Sequence, residues 1–332
     1  MFVIIILFCC LCVFSSLRFC TFVANKVNIS MKKVIVLFVV CLVSAIASAY
    51  VVQTKKNAGM GKQQHSGRFM SLKMPCKLLS GIRERDYGIY LPGSYEAETA
   101  RTYPVLYLMH GGGLAHTDYE YNHHISLFVD SLVDNGIIKD MIIVCPEGNQ
   151  QNMMYFNAKE GEEGAPDWKY EDYFFQELIP YIEKTYRVRT DKSSRAIAGF
   201  SMGGGAAMVY GVHHPEMFSM VYDISGYLRS QPLEFLKNDP SAHWRQGVID
   251  HNNPIKRIES GGAEEVEAWK TVDWKVAVGD HDFTLEANMD LVKAFRKQGV
   301  PYSMHVDTGV HDGVWVHSCL EDMLKRADRN FK

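Results

Sequence analysis

The stretch Ala196-Ile197-Ala198-Gly199-Phe200-Ser201-Met202-Gly203-Gly204-Gly205-Ala206-Ala207 decides how this chain is read. It runs from a short apolar segment, as expected of a buried strand, through a glycine-rich turn into small residues suited to a closely packed helix. Gly199-Phe200-Ser201-Met202-Gly203 sets a serine at the corner between the two. Bulky neighbours would clash at so sharp a turn, and the flanking glycines let the hydroxyl stand clear of the backbone at the helix N-terminus.

Around this corner, apolar runs at Val105 to Met109, Met141 to Cys145, Met220 to Ile224 and Val276 to Val278 read as further buried strands, and Tyr302 to Val306 as a last short one. Helical spacing groups Phe175, Leu178, Ile179, Ile182 and Tyr186, then Leu285, Met289, Val292 and Phe295, then Val316, Cys319, Leu320, Met323 and Leu324. Strands alternating with helices predict an α/β fold, a mostly parallel central sheet flanked by helices. Arg85 to Leu91 and Cys76 to Leu79 are expected to form a leading antiparallel pair. Residues 226–270, with Pro232, Pro240, Pro254 and Gly261-Gly262, break the rhythm and read as an insertion over the active-site edge of the sheet.

A serine hydroxyl is a weak nucleophile at neutral pH and needs a base, itself held by an acid. Two later segments supply candidates: Gly279-Asp280-His281-Asp282-Phe283 after one strand and Gly309-Val310-His311-Asp312-Gly313 after the last. Both lie where loops leave the carboxyl ends of strands, the ligand-binding edge of such sheets. His311 is the expected base, because its competitor His281 precedes the final strand. Asp280 and Asp282 are not separated by spacing. Acyl transfer also needs donors for a tetrahedral oxyanion, each worth about 3 kcal/mol. His110-Gly111-Gly112-Gly113 follows a strand as a glycine-rich turn, so the N–H groups of Gly112 and Met202 are the expected donors.

Other clusters carry less. His123-His124 and His213-His214 lack the His-Glu-x-x-His spacing of a zinc helix, so packing roles and no metal are expected. The triple glycine after Ser201 matches neither a phosphate loop nor a dinucleotide fingerprint, and no cofactor is expected. The acidic loop Lys159 to Asp167 reads as solvated.

Composition sets the outer bounds. With 332 residues, 47% hydrophobic and 22% charged, the chain can bury a sizeable core. Its first 49 residues hold Arg18, Lys26, Lys32 and Lys33 and no acid, which leaves 31 basic against 38 acidic residues beyond them. An acidic remainder argues against nucleic acid as a partner. Five of the eight cysteines lie in that same stretch, and Cys76, Cys145 and Cys319 are expected as buried free thiols.

Met31-Lys32-Lys33, the apolar run Val34 to Ile46 and Ala47-Ser48-Ala49 have the layout of a secretory signal cleaved after Ala49. Residues 1–30 then form an upstream extension, translation starting at Met31; the competing reading is a membrane anchor over residues 2–23, interrupted by Arg18. Residues 50–68 read as a flexible lead-in, and 69–332 as one domain.

The motifs together resemble the α/β-hydrolase superfamily, and more narrowly the esterase family that includes esterase D and the feruloyl and acetyl-xylan esterases of carbohydrate esterase family 1. Tyr103-Pro104-Val105-Leu106-Tyr107-Leu108-Met109-His110-Gly111, Glu177-Leu178-Ile179-Pro180-Tyr181-Ile182-Glu183 and the serine corner carry the resemblance, which spans Lys77 to Leu324. It implies an acid in a Gly-x-x-Asp segment and so selects Asp282. A tryptophan usual in the family two residues after the histidine is replaced here by Gly313, the nearest being Trp315. The resemblance implies a secreted serine carboxylic-ester hydrolase with the triad Ser201, His311 and Asp282, removing feruloyl or acetyl groups from plant polysaccharide. Tyr227, Phe235, Trp244 and Trp269 are candidate aromatic contacts to it. Acyl transfer to a sugar acceptor and a noncatalytic carbohydrate-binding relative are the alternatives.

Overall fold

Side chains on neighbouring positions of a strand point to opposite faces, and here both faces are covered, so the central strands are apolar throughout. The structure, a computed structural model, describes residues 66–148, 155–158, 168–228, 238 and 242–332. Eight strands form one sheet: β1 Arg68–Pro75, β2 Glu84–Leu91, β3 Val105–Met109, β4 Ile142–Pro146, β5 Arg195–Phe200, β6 Met220–Ile224, β7 Asp273–Gly279 and β8 Tyr302–Asp307. Their order is β1-β2-β4-β3-β5-β6-β7-β8. β2 runs antiparallel to both its neighbours, and every pairing from β4 to β8 is parallel.

The helices are α1 Asp118–Tyr121, α2 Ile125–Asp134, α3 Tyr170–Tyr173, α4 Ile179–Thr185, α5 Met202–His213, α6 Ala242–His251, α7 Pro254–Glu259, α8 Ala263–Trp269, α9 Leu285–Gln298 and α10 Gly313–Asn330. On one face of the sheet Tyr107, Ile197, Val221 and Trp274 pack with α5 and α9. On the other, Leu106, Ala198, Tyr222 and Ala277 pack with α2 and α10. Alternate residues of one strand thus enter two separate cores.

Several expectations are refined. The leading hairpin exists, but the partner of β2 is Arg68–Pro75 and not Cys76 to Leu79. Residues 76–83 instead close the turn, with Cys76 N–H donating to Arg83 O at 2.9 Å and Gly81 at φ +75°. β1 is an edge strand with polar Arg68, Ser71 and Lys73, so backbone pairing rather than hydrophobicity places it. The helix expected from Phe175 to Tyr186 contains a π-turn at Phe174–Leu178 before α4. In α9 the buried stripe is Ala287, Asn288, Leu291, Val292 and Phe295; Met289 faces outward and Asn288 inward, where its Nδ2 donates to Gly226 O and Thr284 O.

Within 226–270, α7 lies against α5 and α9, so this part belongs to the helical layer beside the sheet. Trp269 is fully buried and donates its indole N–H to Val212 O at 2.9 Å, which assigns it to packing and removes it from the aromatic contacts to substrate. Phe235 lies outside the described residues, as do residues 1–65 and the loop 159–167. Cys76, Cys145 and Cys319 are buried and unpaired. Among the described residues no helix is long and apolar enough to cross a membrane.

Candidate active site

Ser201 occupies the turn from β5 to α5 with φ +54° and ψ −114°, a conformation costly for a residue with a side chain. Its surroundings hold it there. Ser201 N–H donates to Ile224 O, and Gly205 and Tyr227 N–H groups donate to Ser201 O, all at 2.9 Å. The flanking glycines permit the approach: a Cβ on Gly199 would lie 2.4 Å from the Gly203 carbonyl, and one on Gly203 would lie 2.2 Å from Met109 O. The turn is therefore locked to the end of β3.

The sheet brings three distant residues to this point. His311 Nε2 lies 2.8 Å from Ser201 Oγ, within reach to accept the hydroxyl proton. Its Nδ1–H donates to Asp282 Oδ2 at 2.9 Å and Oδ1 at 3.0 Å. Asp282 also accepts from Thr284 N–H and Thr284 Oγ1, each at 2.8 Å. Burial alone would raise the Asp282 pKa, but the bonds from His311 and Thr284 outweigh it and hold the carboxyl below its ordinary value. An ionised carboxylate here fixes the imidazole with Nε2 free to take a proton.

The competing residues separate cleanly. Asp280 bonds His281 Nδ1 at 2.7 Å, and the His281 side chain is 73% exposed. Of the expected oxyanion donors, Met202 is the first residue of α5, so its N–H has no partner within the helix. Gly112 sits in an exposed turn whose preceding residue, Gly111, packs on Phe200. Tyr119 Oη donates to Met109 O at 3.2 Å and Tyr155 Oη to His110 O at 3.3 Å, which pins the peptides leading into that turn.

Three further groups were not apparent from spacing. The His311 ring lies against Phe200 and Phe283, tilted to both, with centroids at 4.7 and 4.4 Å. Phe283 remains 47% exposed. Buried His110 takes an N–H bond from Gly148 at Nε2 and lies 3.3 Å from Glu147, which also bonds His116. Burial pushes the Glu147 pKa up, yet the two histidines draw it far below the carboxylate range. Asp223, at the end of β6, is fully buried against Gly204 and Gly226. Burial raises its pKa well above the ordinary value, the Gly226 N–H opposing and the Asp282 charge adding to the rise. Phe283 follows Asp282 in sequence but meets His311 only through the fold, as Asp223 meets Gly204 beside the serine corner. The paired histidines pack as expected: His123 stacks on His317, and His213 and His214 both bond Glu171.

A mostly parallel sheet of this order, with a strained serine at the β5–α5 corner, defines an α/β-hydrolase. Residues 82–327 match the Esterase family, and the chain belongs to it. An esterase of Mycobacterium tuberculosis is 27% identical over 67% of this chain and 51% of its own length. An endo-1,4-beta-xylanase/feruloyl esterase of Xylanibacter ruminicola is 33% identical over 56% of this chain and 25% of its own length. The chain thus spans about half of the first of these curated relatives and a quarter of the second. A solved ferulic acid esterase is 33% identical, with a TM-score of 0.73 covering 80% of this chain and 99% of the other.

Proposed function

We propose that this chain is a serine esterase whose nucleophile is Ser201, whose base is His311 and whose acid is Asp282. The observation that carries the reading is the continuous hydrogen-bonded row from Asp282 through His311 to Ser201, at 2.9 and 2.8 Å. Ser201 Oγ attacks the ester carbonyl as its proton passes to His311 Nε2. Asp282 stabilises the imidazolium, and the N–H groups of Gly112 and Met202 receive the oxyanion. Nε2 then protonates the leaving alcohol as the ester C–O bond breaks. Water, deprotonated by the same nitrogen, releases the acid from the acyl-enzyme.

The substrate we assign is a feruloyl or acetyl ester on plant polysaccharide, supported by the similarity to a ferulic acid esterase over nearly its whole length. Hydrolysis of methyl ferulate and 4-nitrophenyl acetate, measured beside Ser201→Ala, tests the reading. The variant is expected to fold normally and lose several orders of magnitude in kcat, on the order of 10⁴ or more. An active variant refutes the nucleophile, and a wild type that cleaves only the acetate moves the substrate to acetylated sugars.

Residues 31–49 are proposed as an export signal ahead of a lead-in and a catalytic domain from about residue 69. N-terminal sequencing of the exported protein should begin at Tyr50; a mature chain still carrying residues 2–23 would refute cleavage and favour an anchor.

A further inference from the structure

The segment Gly279-Asp280-His281-Asp282 contains two acids and a histidine, and the proposed reaction uses only Asp282. Asp280 has a different task. It accepts from His281 Nδ1–H at 2.7 Å and from Gly309 N–H at 3.1 Å, tying the turn after β7 to the loop after β8. The tie orients the His281 ring and leaves Nε2 with no partner among the described residues.

His281 borders a cleft of about 300 Å³, whose other walls include Val310, Asp312, Val314, Trp315 and Ser318. Val310 and Asp312 flank His311 in sequence, so the loop that carries the proposed catalytic imidazole also lines this cleft. The lining mixes two chemistries. Val314 is 78% and Val310 49% exposed, an uncommon concentration of open aliphatic surface beside a reaction centre. Among them stands a hydrogen-bonding group unpaired among the described residues, His281 Nε2, beside the Asp312 carboxylate, whose Oδ1 caps α10 through Trp315 N–H, and the Ser318 hydroxyl, which donates to Trp315 O. Trp315 completes the lining with a largely buried indole stacked on His305.

A ligand for such a surface must offer apolar faces and hydroxyls together, because a plain hydrocarbon would leave His281 Nε2 and the second Asp312 oxygen without a partner. It must also be uncharged or cationic, since Asp312 and Asp280 would repel an anion. A neutral sugar ring has these properties, with C–H faces for the valines and hydroxyls for the polar rim. We propose that the cleft lined by His281, Val310, Asp312, Val314, Trp315 and Ser318 is a subsite for a neutral sugar residue neighbouring the esterified one. This rests on the polysaccharide reading above and extends it to a part of the substrate remote from the ester.

The test compares a feruloylated arabinoxylo-oligosaccharide with methyl ferulate, which has no sugar, using the wild type, His281→Ala and Val314→Arg. Loss of one hydrogen bond or of cleft access is expected to raise KM for the oligosaccharide about 5- to 10-fold. Methyl ferulate kcat and KM should stay within about twofold. Variants that change both substrates equally, or neither, overturn the subsite while a wild-type preference for the oligosaccharide upholds the function. A wild type that cleaves methyl ferulate but not the oligosaccharide overturns the polysaccharide reading, and the subsite with it.

Discussion

At the residue scale the candidate site turns on one choice among close neighbours. Asp280 and Asp282 are two positions apart, and both are hydrogen-bonded to a histidine, Asp280 to His281 and Asp282 to His311. Their surroundings differ sharply. The Asp282 side chain is fully buried and accepts from Thr284 as well, whereas Asp280 is exposed. Asp282→Asn should therefore lower kcat on methyl ferulate by up to about 10⁴-fold, since an amide no longer holds the imidazole in the productive tautomer. Asp280→Asn should leave that substrate's kcat within about twofold. Steady-state kinetics of the two variants check the assignment, and the opposite ranking would refute it.

At the element scale the decisive contact is between α5 and the end of β3. A Cβ on Gly203 would sit 2.2 Å from Met109 O and 2.6 Å from His110 O, both backbone atoms that cannot swing aside. At Gly112, by contrast, a Cβ meets nothing within 4 Å. Gly203→Ala is expected to destabilise the protein by about 1–3 kcal/mol and to displace the serine corner from the glycine turn. Gly112→Ala should cost little in stability. Urea unfolding midpoints of the two variants provide the measurement; equal midpoints would mean that the α5–β3 approach is not the constraint proposed.

For the molecule as a whole, Asp223 makes global stability depend on pH. Burial raises its folded-state pKa well above the ordinary 3.8, so the native protein keeps a proton there that the unfolded chain releases. Native stability from this group is complete below the unfolded value and falls as pH rises toward the folded one. Asp282 acts in the opposite sense: its lowered pKa adds stability above the unfolded value, which is lost as pH falls through the folded one. Asp223→Asn removes the first effect alone. The variant should unfold at higher urea than the wild type at pH 8, with the advantage shrinking toward pH 4. Parallel pH dependence in both proteins would show that Asp223 is ionised in the native state.

Much of this protein was legible in its sequence because parallel strands buried on both faces are written as unbroken apolar runs. Val105 to Met109 and Met220 to Ile224 needed nothing further. The Gly-x-Ser-x-Gly corner was equally plain, since a strained turn tolerates few residue types. β1 was not, because an edge strand is placed by backbone pairing to β2 and can carry Arg68, Ser71 and Lys73 without penalty. The inward turn of Asn288 was also hidden, being stabilised by the carbonyl of Gly226 from a distant segment together with that of Thr284 one turn earlier. Residue types and strand-end positions thus determined which serine, histidines and acids were available. Only the tertiary structure decided which of them meet, because the pairing of β7 with β6 and β8 brings Asp282 and His311 to Ser201 and turns Asp280 and His281 away.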